Sequence, residues 1–194
     1  MSKFYFKQAI YLPLLYFGAV FLGGLFAIDY SHLSKHASEL GINSNGAAVW
    51  IFNTGAILTG MSILLFAFGL KINFKNQFNI TSILSCVFGI TFIFGAVFPI
   101  GSPWHGIYGL GLCVMLLPVS FLYEQKDLIQ NKYIKPVSIL ANLFIFIYLW
   151  LMVSRLDPIN YRGLTQRLFG IVVFGWLSYI SFQLYLVSKK LQKA

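Results

Sequence analysis

Negative charge is scarce in this chain. Asp and Glu number five among 194 residues, against 14 Lys and Arg, and charged residues make up only 10% of the whole. A proton or ion relay across a membrane needs a carboxylate at mid-depth. None of Asp29, Glu39, Glu124, Asp127 and Asp157 lies in the middle of an apolar run, which argues against a pump or an ion-coupled transporter. The halves also lack a clear pair of Gly- or Pro-broken helices, the usual pointer to a secondary transporter. Cysteine is limited to Cys86 and Cys113, both inside apolar runs, so the chain has no disulfide framework and the thiols read as small hydrophobes. No Ser stands in a nucleophile motif, and covalent catalysis by Ser or Cys is set aside. No hydrophilic stretch is long enough to form a soluble domain.

Apolar surface is what the chain has in excess. It is 58% hydrophobic and 18% aromatic, with a mean hydropathy of +0.77, far from the balance of a soluble domain. Bilayer hydrocarbon is about 30 Å thick, so a spanning helix needs roughly 20 mostly apolar residues. Six such runs occur, near residues 9–28, 49–70, 80–99, 105–123, 137–154 and 164–188. The expected fold is an all-α integral membrane protein, a six-helix transmembrane bundle forming a single membrane domain over residues 1–194. Continuous rather than alternating runs exclude a β-barrel. The first run follows Lys3 and Lys7 as a signal peptide would, but bulky Phe26 and Ile28 flank Ala27 and no A-x-A site follows, so it reads as the first span.

Short loops rich in Lys and Arg stay in the cytoplasm. Ten of the 14 basic residues, Lys3, Lys7, Lys71, Lys75, Lys126, Lys132, Lys135, Lys189, Lys190 and Lys193, fall on the side of the termini. Both termini are therefore expected in the cytoplasm and the protein in the inner (plasma) membrane. The net charge of +9 reflects topology and attraction to anionic headgroups, not nucleic-acid binding.

The two faces differ in chemistry. The terminal side carries lysines with Glu124, Asp127, Asn and Gln, read as solvated residues. The unusual polar groups collect on the outer side. In the first outer loop, DYSHLSKHASELGINSNG (residues 29–46), Asp29, His32, His36 and Glu39 recur at helical steps beside an apolar stripe of Tyr30, Leu33, Ala37 and Leu40, which predicts an amphipathic helix C-capped by Gly41. His-x-x-x-His with nearby carboxylates is also spacing that holds zinc, and His105 from the next outer loop would complete a set of His32, His36 and His105.

That second loop, FPIGSPWHGIYGLG (residues 98–111), joins Pro99 and Pro103 as helix ends to Trp104 as an interfacial anchor. His105 is placed in the first turn of the fourth span, and Gly106, Gly109 and Gly111 admit a neighbouring helix or a ligand. In the third outer element, RLDPINYRGLTQR (residues 155–167), Arg167 lies about one turn inside the sixth span, where a charge needs a partner. Glu39 and Asp29 are the candidate partners, and the expected pair is Arg167 with Glu39, tying the first outer loop to the last helix.

The motifs SELG (residues 38–41), FNTGAILTG (52–60), FP at Phe98 and Pro99 followed by His105, and GLTQRLF (163–169) resemble the pattern of a prokaryotic six-span family known as domain of unknown function 998. The resemblance covers most of the chain and implies a six-helix membrane fold without an established activity. A fainter likeness of layout, and of an acidic Gly-containing motif in the first outer loop, is to eukaryotic six-span proteins linked to lipid remodelling.

Three functions fit. The first is a non-enzymatic bundle that binds a lipid or other amphipathic molecule from the outer leaflet, with Arg167, His105, Trp104 and Asn53 meeting an anionic head and Glu39 also among the ligand-binding residues. The second is a zinc-assisted hydrolase acting on lipid, with His32, His36 and His105 as ligands and Asp29 or Glu39 as ligand or base. The third is a structural subunit whose partner is another membrane protein or a second copy of the chain.

Overall fold

The computed structural model describes residues 3–75, 77–126 and 128–191; Asp127 and Lys193 lie outside the described residues. Regular structure among the described residues is entirely helical. The α-helices are α1 (Phe4–Ala9), α2 (Leu12–Phe26), α3 (Gly46–Phe74), α4 (Asn79–Val97), α5 (Leu117–Gln125), α6 (Ile134–Val153) and α7 (Arg162–Leu191). Three 3₁₀ segments, Ala37–Ile42, Ile107–Leu116 and Ile159–Tyr161, complete the set.

Among the described residues five helical stretches are long and apolar enough to cross a membrane: Gly46–Phe74, Asn79–Val97, Ile107–Gln125, Ile134–Val153 and Ile159–Leu191. The run at residues 9–28 is shorter than expected, giving an apolar helix of 15 residues, Leu12–Phe26. Pro13 is the cause. It has no N–H for the Ala9 carbonyl and its ring crowds the preceding turn, so the helix breaks at Ile10 and Tyr11 and α1 continues beyond. Ser178 Oγ, from α7, donates to the Ile10 carbonyl at this break (2.6 Å).

α3 sits at the centre of the first half, packed on α2 and α4. Its two glycines in FNTGAILTG are five residues apart and so face different neighbours. A Cβ on Gly55 would lie 2.1 Å from the Ala19 Cβ of α2, and one on Gly60 would lie 2.8 Å from the Gly89 carbonyl of α4. Small residues let these backbones touch, the packing mode helices use in lipid. Two polar pairs join helices in the interior: Trp176 Nε1 donates to Ser138 Oγ (2.9 Å), and the Gln8 and Ser62 side chains bond to each other.

Three expectations are corrected here. Glu124 is buried, not solvated. Its carboxylate accepts from the N–H groups of Ile80 (2.7 Å) and Thr81 (2.8 Å) and so caps the positive N-terminal end of α4. The fourth span is not a continuous α-helix from His105. Its first half is a 3₁₀ helix with left-handed backbone at Ile107 (φ 42°), Tyr108 (φ 53°) and Gly109 (φ 87°). Four glycines between residues 101 and 111 weaken the α-helix, and Pro118, in the first turn of α5, stops α-geometry from extending back toward it.

The first outer loop does not form the amphipathic helix either. Only Ala37–Ile42 is helical, as 3₁₀, while Asp29 adopts φ 52°. The carbonyls that a loop helix would use internally are taken by α7: Leu164 N–H donates to Leu33 O (2.9 Å), Arg162 Nε to Ser34 O (3.0 Å) and Arg167 Nη1 to Lys35 O (3.1 Å). Gly41 is no left-handed cap. Its missing Cβ makes room for Asn53, whose Oδ1 would stand 2.8 Å from one.

Candidate functional site

The loop and the start of α7 form a clasp at the end of the bundle opposite the termini. Asn43 closes its base, accepting from Ile28 N–H (3.1 Å) and donating to Ile28 O (2.9 Å). Gly163 sets its closeness, because a Cβ there would fall 2.4 Å from Lys35 O and 2.7 Å from His32 O. Gln166 Oε1 accepts from Ala37 N–H (2.7 Å). The buried Arg167 is the centre of the clasp. Its Nη1 donates to Gly163 O (2.6 Å) as well as to Lys35 O, and its Nη2 donates to the Tyr30 hydroxyl and to His32 Nδ1 (3.2 Å). Tyr30 in turn donates to His36 O (3.2 Å).

Protonation states follow from this chain of donors. A guanidinium only donates, so His32 Nδ1 is the bare nitrogen of a neutral ring. Burial, and then the Arg167 charge, hold the His32 pKa below its ordinary value. Burial and the Arg162 charge do the same for His36. The Tyr30 pKa is raised by burial, against the pull of Arg167. The His32 ring rests on α2 where a Cβ on Gly24 would be 2.4 Å from its Nε2.

The expected Arg167–Glu39 pair is therefore not formed. Arg167 is satisfied by neutral oxygens and one imidazole nitrogen, although its buried Nε has no partner among the described residues. Glu39 instead accepts from His36 N–H (2.8 Å), capping the 3₁₀ segment, and stands 3.9 Å from the half-exposed Arg162.

Beside the clasp lies a cavity of about 360 Å³. Its upper wall comes from Ala37 and Ser38, from His105 and Gly106, and from Gln166. Deeper, it is bounded by Phe52 and Ala56 of α3, Phe88, Thr91 and Phe92 of α4, Tyr148 of α6 and Phe169 of α7. Tyr148 stacks on Phe169 (4.4 Å between ring centres), and Tyr16, another wall residue, packs against Phe92 and Phe174. Gly109, Gly111, Leu112 and Val114 from the irregular half of the fourth span close one side.

Hydrogen bonding orients the polar wall. The Phe98 carbonyl lies 2.8 Å from His105 Nδ1. A carbonyl only accepts, so Nδ1 carries a proton and is committed to Phe98, which leaves Nε2 as the ring nitrogen open to a ligand. Gln166 uses its oxygen on Ala37 (2.7 Å), and its side chain also meets His36. Thr91 donates to Phe88 O (2.8 Å) and keeps acceptor capacity.

Of the five residues expected to bind ligand, His105 alone lines this cavity. Arg167 and Glu39 are committed to the clasp, Asn53 sits beneath Gly41, and Trp104 is exposed, packed with Phe94, Phe98 and Tyr108 in an aromatic cluster. His32, His36 and His105 are not brought together, and among the described residues no three His, Cys, Asp or Glu side chains group closely enough to hold a metal ion. Sequence reasoning passed over Tyr16, Thr91 and Tyr148 because single polar residues in apolar runs carry no spacing signal. The glycine cluster after His105 was the readable trace of the cavity wall.

The family model described as Protein of unknown function (DUF998) matches residues 11–183. No curated protein and no solved structure matches the chain.

Proposed function

The chain belongs to the family described as Protein of unknown function (DUF998), and from that premise we propose that it is a membrane protein that binds a lipid or other amphipathic molecule in the cavity beside the clasp. One observation carries the reading. At membrane depth, non-helical backbone is tolerated only where it is buried in protein or lines a cavity, and the strained 3₁₀ half of the fourth span does the latter. A long 3₁₀ stretch with left-handed residues costs free energy, and a binding wall is a reason to keep it. Aromatic sides with a few converging polar groups at one end suit a molecule with an apolar body and a polar head.

In this proposal α1 and α2 together act as a sixth span. With six spans, ten of the 14 basic residues of the sequence belong to segments on the side of the termini, so the positive-inside rule puts both termini in the cytoplasm. The cavity then opens toward the outer leaflet of the plasma membrane.

Purification in mild detergent followed by mass spectrometry of an organic extract tests the reading. The expected result is a retained molecule at close to one per chain, lost in Gly111→Leu, whose new side chain starts 3.6 Å from Thr91 Oγ1 and fills the cavity. Lipid retained to the same extent by that variant, or none above the level of the exchange detergent, would overturn it.

A further inference from the structure

Resting on the reading of the cavity as an amphiphile site, we infer that the molecule it takes has an uncharged head bearing a hydroxyl or carbonyl group. Among the described residues no Lys, Arg, Asp or Glu lines the cavity. The polar residues that do are His105, Gln166, Ser38, Thr91, Tyr16 and Tyr148. Together they offer both donors and acceptors, the complement of an alcohol or a carbonyl.

An ionised carboxylate or phosphate would have to leave water with no Lys or Arg in the wall to pair with it, a transfer far costlier than that of a hydrogen-bonded neutral group. Arg167 does not meet that need. It is not a lining residue, and both of its Nη groups are engaged by the loop and by Gly163. The volume, about 360 Å³, lies at the small end of the roughly 300–1,000 Å³ range of ligand pockets. It suits one slender chain or ring system rather than a two-chain lipid.

The test compares two fluorescent polyenes of equal chain length, cis-parinaryl alcohol and cis-parinaric acid. Each is titrated into the full chain in detergent at pH 9, where the acid is ionised, and binding is read by energy transfer from tryptophan. Gly111→Leu and Thr91→Leu narrow the cavity from two different segments. Among the described residues Thr91 bonds within its own helix, to the Phe88 carbonyl; thermal unfolding checks that both variants fold. The expected result is saturable alcohol binding that both variants lose, with the acid at least about tenfold weaker. Equal or tighter binding of the acid, still lost in the variants, would overturn the uncharged head and leave the amphiphile site standing. No variant-sensitive signal from either polyene would overturn both.

Discussion

Replacing Gly163 by Ala should release the loop of residues 28–45 from α7. The new methyl would stand 2.4 Å from Lys35 O and 2.7 Å from His32 O. Both are backbone atoms, which cannot swing aside as a side chain would. The loop must therefore lift, and the bonds nearest the contact go first: Leu164 N–H to Leu33 O at 2.9 Å and Arg167 Nη1 to Lys35 O at 3.1 Å. A neutral backbone bond contributes about 1 kcal/mol net and one from a charged donor about 2. Their joint loss, about 3 kcal/mol, raises the open fraction of the loop on the order of 100-fold. Limited trypsin digestion of the detergent-solubilised protein reads this at the bond after Lys35, with the cleaved fragment quantified by mass spectrometry. Cleavage faster by one to two orders of magnitude is expected while the helices stay folded by circular dichroism. A rate within twofold of the unaltered protein would refute the clasp as the element that holds this loop.

Three further outcomes follow from the same geometry. Arg167→Lys keeps the charge but loses the fork that reaches Lys35 O, Gly163 O, Tyr30 and His32; a loss of about 2–4 kcal/mol is expected in thermal or denaturant unfolding, and unchanged stability would contradict the assignment. His32 has a folded-state pKa below its ordinary value of 6.5, so on acidification the unfolded chain takes up a proton before the folded one does. The stabilisation is complete above about pH 6.5 and declines as pH falls toward the folded value, with His36 acting in the same direction. Loop protection should therefore weaken between pH 7.5 and 5.5, less steeply in His32→Gln; a flat profile would sink the reasoning. Glu124→Gln leaves one of the Ile80 and Thr81 N–H groups facing an amide NH₂, a loss of about 2 kcal/mol and roughly 4–8 °C in the unfolding midpoint, whereas a midpoint within 1 °C would mean that the cap contributes nothing.

Much of the end opposite the termini was legible by residue type and little of it by role. Arg167 was correctly singled out as a charge that needs partners at the edge of a span. Its partners are carbonyls of Lys35 and Gly163, a tyrosine and a histidine, and backbone acceptors leave no mark on residue identity. The motifs SELG and GLTQRLF turn out to face one another. Glu39 orders the 3₁₀ segment, and Gly163, Gln166 and Arg167 hold the loop that contains it. The helical spacing of His32, His36 and Glu39 was real but misleading, since periodicity reports a helix only where the backbone keeps its own hydrogen bonds, and here α7 takes them.

What the sequence alone determined is what depends on composition and run length: helices long and apolar enough to cross a membrane and the glycines that mark close backbone contact. These follow from the thickness of the bilayer and from the need to satisfy every amide inside it. Tertiary structure decided the rest. It broke the first apolar run at Pro13, wound half of the fourth span as a strained 3₁₀ wall, buried Glu124 on the end of α4, and separated the cationic clasp from the uncharged cavity beside it. Each of these turns on which atoms meet across helices distant in sequence, and a spacing pattern within one helix carries no information about the neighbour it will face.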